Sequence, residues 1–440
     1  MLRAALGIAA CLVIAAPLVP RDAPVPLVRL APASPGPFQQ ALSAPPDTAT
    51  CRIRFGVACY QPAQLRKAYN LDPLLARGLD GTGRTIVIVD PFGSPTIEED
   101  LRSFDRAFGL PDPPSLQIIQ PAGPVPPYPQ DPAGVQDRSG WAGETTLDVE
   151  WAHAMAPAAG IVVAETPTAE NEGRTGFPDI VTAEKYVIRH HLGQVISQSF
   201  GATEQTFASA AALRSLRGAY QLAAQPANAV TVLAASGDSG ASGDTYDMKR
   251  LYPRRVVEWP ATDPLVTAVG GTALSLTRSG LRRQPDRVWN DAGGGRSAVF
   301  TRPAYQAGVA AQAGARRGIP DISMDASCQS SVAIYASFPG SEGRWQTICG
   351  TSTATPLFAG IVALADQVAG HSLGVINPAI YQMLAHRSRG LVDIRAGTNS
   401  ITAGGRLVRG FRAGPGYDLA SGAGTVDAAY FVPELARLAG

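Results

Sequence analysis

Histidine is scarce in this 440-residue chain, which holds five: His153, His190, His191, His371 and His386. None stands in a His-Gly-Thr-like context or at the end of a strand pattern. The usual base for a nucleophilic serine is therefore missing. Cysteine is scarce as well, with five residues and no CxxC pair, so a zinc site has no basis. Charge of one sign is not in excess. A formal net charge of +1 argues against nucleic acid or an anionic membrane surface as the main partner. The apolar run from Ala4 to Val19 has 16 residues, short for a membrane span. No internal repeat and no second domain are visible.

What is present points to an exported α/β domain. Arg3 ahead of the apolar run gives residues 1–22 the form of a signal peptide, and contact with a membrane is expected only through it. Ile8-Ala9-Ala10-Cys11 resembles a lipoprotein box only superficially, because too little apolar sequence precedes the cysteine. Export leaves Cys51, Cys59, Cys328 and Cys349 for disulfides in an oxidising compartment. The local pairs Cys51–Cys59 and Cys328–Cys349 are the simplest of the three connectivities that four cysteines allow. Residues 23–60 read as a Pro/Ala-rich leader or linker, disordered to about residue 50 and ordered from near Cys51. Residues 61–440 read as one large domain. At 45% hydrophobic residues the chain can fill a sizeable core.

Strand and helix signals alternate after a helix at Gln61–Leu71. Strands are expected at Thr85–Val89, Leu116–Gln120, Ile161–Ala164, Val195–Phe200, Val230–Ala234 and Leu265–Val269. Helices are expected at Ile97–Phe108, Glu144–Met155, Asp179–His190 and Phe207–Ala223. Continuous apolar strands between helices predict an α/β fold with a mostly parallel central sheet, covered by helices on both faces. In such sheets, sites gather at the carboxyl ends of strands. Asp90, Ser199 and the loop after Ala234 fall there. Gly293-Gly294-Gly295 reads as a flexible loop. Val332–Tyr335 and Trp345–Ile348 predict a hairpin, and Asn377–Leu384 and the C-terminus further helices.

The hairpin leads into Gly350-Thr351-Ser352-Thr353-Ala354-Thr355-Pro356, followed by the apolar run Leu357–Leu364. This places a serine hydroxyl at a helix N-terminus, where free N–H groups stabilise developing negative charge. Pro356 is expected in the first turn, the one place a helix tolerates it. Ser352 needs a base. Glu144 and Asp148, four apart on a helix, lie on one face, and their mutual repulsion raises the pKa of one of them. The bland alternative is a first helical turn dressed with acids, as the helix dipole favours. His153, on the same helix, is a weaker candidate, better read as structural. Asp238, in Ala235-Ser236-Gly237-Asp238-Ser239-Gly240, could donate to an oxyanion if protonated. A solvated turn is its bland reading.

Together these motifs resemble the sedolisin family, the serine-carboxyl peptidases. The Glu/Asp pair, the Ser-Gly-Asp-Ser-Gly loop and Gly-Thr-Ser-x-x-x-Pro occur here in the family's order. Val195–Gly201, Val266–Thr272 and Pro320–Ser323 also look like the family. The resemblance spans roughly residues 60–430. It implies a secreted, acid-acting endopeptidase with a subtilisin-like fold, protein or peptide substrates, and a monomer. Ser352 would be the nucleophile, Glu144 its general base and Asp148 the residue that orients Glu144. Asp238, with the Ser352 N–H, would form the oxyanion hole. The strand from Ser197 to Gly201 would bind substrate as an added strand. The resemblance also implies one structural Ca²⁺, held by the Asp393 carboxylate, the Ile394, Gly414 and Gly416 carbonyls, and Asp418. Oxygen donors on irregular loops suit that ion. Two departures stand out. The sequence between the signal and the first motifs is too short for the family's usual pro-domain, and Phe200 replaces a frequent Trp. Two rival readings remain: a silent binding protein on a peptidase scaffold, and a Ser-His-Asp subtilase using Asp90.

Overall fold

The computed structural model describes residues 44–130, 138–173, 175–341 and 344–440. The signal peptide and the leader as far as residue 43 lie outside the described residues.

Seven strands run parallel: β1 Thr85–Pro91, β2 Leu116–Ile119, β3 Gly160–Thr166, β4 Val195–Gln198, β5 Thr231–Ala235, β6 Thr267–Ala273 and β7 Ile322–Asp325. Their order across the sheet is β7-β6-β5-β4-β1-β3-β2, and a short strand, Arg287–Val288, pairs antiparallel with β6. Side chains alternate between two cores. Ile86 and Ile88 of β1 face one core. It is shared with helices α1 Ile97–Phe108, α2 Arg138–Met155, α4 Thr351–Ala369 and α5 Ala428–Ala439. Val87 and Val89 face the other core, beneath helix α3 Phe177–Arg189. Burial on both faces is why these strands are apolar throughout rather than alternating. The expected fold class, an α/β fold with a mostly parallel central sheet and helices on both faces, is the one observed.

Helices α2 and α4 pack against each other across the first core. A Cβ at Gly360 of α4 would stand 2.5 Å from the Met155 Cβ of α2, so the approach requires glycine there. The helix carrying Glu144 and Asp148 is thus locked onto the helix that carries Ser352.

Several local expectations change. Order begins before Cys51: Thr48–Phe55 is a helix capped by Asp47, whose Oδ1 accepts from the Thr50 amide at 2.8 Å. Cys51–Cys59 and Cys328–Cys349 are the disulfides found, and Tyr60 bridges to Val332. The end of the leader is therefore folded onto the body. The helix expected at 207–223 is two, Ala210–Ser215 and Gly218–Ala223, broken where Arg217 pairs with Asp263. Gly293-Gly294-Gly295 is buried rather than flexible, with the Gly293 amide donating to the Gly237 carbonyl at 2.6 Å. Pro356 lies inside α4 rather than in its first turn.

Candidate active site

Ser352 is the second residue of α4, whose N-cap is Gly350. The approach to it is held firmly. Cys349 is tied to Cys328, and the Gly350 amide donates to the Ala326 carbonyl at 2.8 Å, just beyond β7. Gly350 has φ +130°, and a Cβ there would lie 2.5 Å from Asp238 Oδ2. A side chain at this position would push the Asp238 carboxyl away from the start of α4.

Asp238 follows β5 and is buried. Its two oxygens are unequal. Oδ1 accepts from the Thr351 amide and from the Thr351 hydroxyl, both at 2.8 Å. Oδ2 has no partner among the described residues. Burial pushes the carboxyl up to about 7. The two Thr351 hydrogen bonds oppose that rise, and Asp291 adds to it. Since Oδ1 is occupied as an acceptor, the proton belongs on Oδ2, on the side of Gly350 and the α4 N-terminus. The solvated-turn reading of this loop does not survive its burial.

Glu144 and Asp148 are both buried in α2. Described from Arg138, the helix has Glu144 in its interior, and the helix dipole cannot account for the pair. Asp148 Oδ1 accepts from the Ser199 hydroxyl at 2.9 Å. Burial holds Asp148 well above the usual carboxylate range; the charges of Asp90 and then Glu144 add to this, and the Ser199 hydrogen bond opposes it. Asp90, at the end of β1, is itself pushed up to about 7, first by burial, with the nearby Thr145 hydroxyl opposing and Glu165 adding. Ser199, just beyond β4, also stands 3.4 Å from the Ser352 carbonyl oxygen. It therefore ties the acid pair to the helix that carries the serine. Buried like charges, with desolvation, keep protons in this cluster at pH values where surface carboxylates have lost them.

Comparison with known proteins identifies the family. Residues 138–405 match the subtilase family. Kumamolisin of Bacillus sp. (strain MN-32) is 33% identical over 378 residues, which cover 83% of this chain and 62% of kumamolisin. Sedolisin of Pseudomonas sp. (strain 101) is 30% identical over 359 residues, covering 78% and 56% respectively. The solved structure of Pseudomonas sedolisin, a serine-carboxyl proteinase complexed with two molecules of pseudo-iodotyrostatin, superposes with a TM-score of 0.71 at 26% identity. That match covers 87% of this chain and 99% of the sedolisin chain. The chain belongs to the subtilase family, in its sedolisin branch. It spans under two thirds of the length of kumamolisin and of sedolisin.

The histidine of helix α2 is engaged away from the acid pair. His153 Nε2 is 3.2 Å from Asp105 Oδ1 and 2.8 Å from the Pro111 carbonyl oxygen, so it ties α2 to α1 and the turn beyond. Asp90 is not paired with a histidine. It acts instead on Asp148, a role that strand-end position alone did not reveal. Ser199 was legible as a strand-end residue and as part of a family-like strand, without its partner. Its link to Asp148 closes a gap of 51 residues.

The residues expected to hold calcium lie on two segments, 393–394 and 414–418, that meet where Gly416 reaches Asp393. Gly416 donates its amide to both oxygens of Asp393, at 3.1 and 3.2 Å, and Gly414 donates to Asp418 Oδ2 at 3.0 Å. Arg395 pairs with Asp393 Oδ2 at 2.7 Å. No cluster of three or more His, Cys, Asp or Glu side chains suited to a metal occurs among the described residues. The expected set, two carboxylates and three backbone carbonyls, consists of hard oxygen donors, the chemistry that Ca²⁺ takes rather than a softer ion.

Proposed function

We propose that this member of the family is a secreted serine-carboxyl endopeptidase that hydrolyses peptide bonds of proteins or peptides at acidic pH. The observation that carries the reading is the Asp238 carboxyl. It is buried beside the start of α4, with Oδ1 engaged by Thr351 and Oδ2 left to donate.

Ser352 Oγ attacks the scissile carbonyl carbon as Glu144 takes its proton. Asp148, fixed by Ser199, orients Glu144 and carries a proton itself, so the pair does not hold two full charges. The carbonyl oxygen becomes an oxyanion between the protonated Asp238 Oδ2 and the Ser352 amide. A donor aimed at developing charge in a water-poor site is worth about 10²–10³ in rate. Glu144 then returns its proton to the leaving amine, and water repeats the sequence on the acyl-enzyme. Groups acting on Asp238 are Thr351 and Asp291, and Asp238 acts in turn on Glu258. None of these is a cation, so loss of the Asp238 proton is not offset nearby. This favours work below neutrality.

A structural Ca²⁺ would be held by the Asp393 and Asp418 carboxylates with the Ile394, Gly414 and Gly416 carbonyls. Its contribution there is to pin the two segments together. A monomer is the simplest working state.

The test is a pH series from 2 to 8 on a mixed peptide library, with wild type and Ser352→Ala. Cleavage that peaks in acid and vanishes in Ser352→Ala supports the reading. Full activity in Ser352→Ala, or none in the wild type at any pH, ends it.

A further inference from the structure

The loop that carries Asp238 is gripped on both sides of that residue by a single turn. The turn follows the short strand Arg287–Val288 and is closed by the Ala292 amide, which donates to the Trp289 carbonyl at 3.1 Å. Before Asp238, the Gly293 amide donates to the Gly237 carbonyl at 2.6 Å, and the Ser236 hydroxyl donates to the Gly293 carbonyl at 2.8 Å. After Asp238, the Gly240 amide donates to the Asp291 carbonyl at 2.6 Å. The approach is close enough to require glycine on both chains. A Cβ at Gly293 would stand 2.0 Å from the Ser236 carbonyl oxygen, and one at Gly240 would stand 2.9 Å from the Asn290 carbonyl oxygen.

This bracket sets a second acid, Asp291, across the loop from Asp238. The bonds that hold it there are made by backbone atoms of Asp291 and Gly293, so the Asp291 side chain takes no part in them. Its Oδ1 accepts from Asn290 Nδ2 at 2.7 Å, and burial pushes the carboxyl up to about 6. The groups that bear on Asp238 are Thr351 of α4 and Asp291 of this turn, and Glu258 of the short strand Glu258–Trp259 feels the charge of Asp238 in turn. Asp238 itself is pushed up to about 7. As pH rises, Asp291 therefore loses its proton first and becomes a carboxylate facing an Asp238 that still holds one.

We propose that Asp291 is a positioning residue for the oxyanion donor: as a carboxylate held across the loop, it keeps the proton on Asp238 and extends peptide hydrolysis upward toward neutral pH. The inference rests on the peptidase reading above. Two like charges at one loop repel, so the second proton is held more tightly once the first has gone. In strong acid Asp291 is neutral and has no such effect. Its influence belongs to the alkaline limb of the pH profile, where the donor would otherwise be lost sooner. Asp291 touches no reacting atom in this scheme; it acts through the proton that Asp238 donates.

The test uses the full chain and one peptide that the wild type cleaves. kcat/KM is followed from acid to alkaline pH for wild type, Asp291→Asn, Asp291→Ser and Asp291→Glu, each normalised to its own value in acid, so that partial misfolding cancels. The backbone bracket is available to all three variants. Asp291→Asn and Asp291→Ser should move the alkaline limb down by about half a pH unit or more, which is about threefold in normalised activity beyond the limb. Asp291→Glu restores the charge and should keep most of the wild-type limb. A limb that both neutral variants leave in place or move upward overturns the proposal, whatever happens to overall activity. The proton gives a second reading that needs no cleavage. In Ser352→Ala labelled with ¹³C at aspartate carboxyls, the resonance that Asp238→Asn removes should titrate at lower pH once Asp291→Asn is added, and an unmoved midpoint overturns the proposal as well. Failure of the peptidase reading looks different: no peptide is cleaved, or Ser352→Ala cleaves it, while the midpoint of Asp238 still reports on Asp291.

Discussion

Pro356 stands four residues after Ser352 in the same helix, so the amide that would bond to the Ser352 carbonyl does not exist. The freed oxygen faces Ser199, whose hydroxyl is 3.4 Å from it and 2.9 Å from Asp148 Oδ1. A residue that weakens the helix thus exposes an oxygen beside the acid pair. Pro356→Ala should restore the helical bond and raise Tm, by a net of about 1–2 kcal/mol once the lost packing is counted. It should also lower kcat/KM several-fold, by drawing the Ser352 carbonyl back into the helix. Thermal melting and steady-state kinetics on one preparation check both signs, and a drop in Tm contradicts the account.

Ser199→Ala removes the hydroxyl that holds Asp148. The stranded carboxyl oxygen should cost about 1–3 kcal/mol of stability. Without that bond Asp148 rises further, since the Ser199 hydrogen bond is what opposes its shift. Activity should fall with a displaced pH profile, and Ser199→Thr should recover part of it. An unchanged pH profile in Ser199→Ala would show that Asp148 is held by something else.

Asp238→Ala deletes the proposed donor and should reduce kcat by about 10²–10³, with a smaller effect on KM. In the wild type, kcat/KM should fall as pH rises past about 7, where Asp238 loses its proton. Activity that increases steadily from pH 7 to 9 would be incompatible with a protonated Asp238.

Stability should follow the same direction. Burial pushes Asp90, Asp238 and Glu165 up to about 7, and Glu172 and Asp366 up to about 8. Their ordinary values are 3.8 for Asp and 4.5 for Glu. Between those values and 7–8 the folded chain holds more protons than the unfolded one, so stability falls as pH rises through that window. Tm should be higher at pH 4 than at pH 8. A maximum at pH 8 would be the wrong sign.

Removal of calcium should lower Tm, because a ligand that binds only the folded state stabilises it by mass action. Asp418→Ala should abolish the sensitivity to chelator. A melting curve that excess chelator leaves unmoved would exclude the ion.

Much of the architecture was legible along the chain. Thr85–Val89 and Ile97–Phe108 carry their periods in consecutive residues, and both elements appear at or within two residues of those bounds. The motifs around Glu144, Asp238 and Ser352 were legible for the same reason: each is local. The misses have non-local causes. Gly293–Gly295 looked flexible because its partner, the 236–237 segment, is more than fifty residues away. Pro356 was expected one turn earlier because nothing local shows that α4 starts at Thr351.

By itself the sequence determined the parallel sheet and the family, and it singled out the acids and the serine of the proposed site, since each is written in spacing and residue type. Only the tertiary structure decided which oxygen of Asp238 is free, since that depends on Thr351, 113 residues on. It also decided that Asp90 bears on Asp148 and that the Glu258 carboxyl stands against Gly201 and Gly237. These are electrostatic and steric facts about groups brought together from distant segments. A carboxylate's proton depends on what surrounds it after folding, and neighbours along the chain do not fix those surroundings.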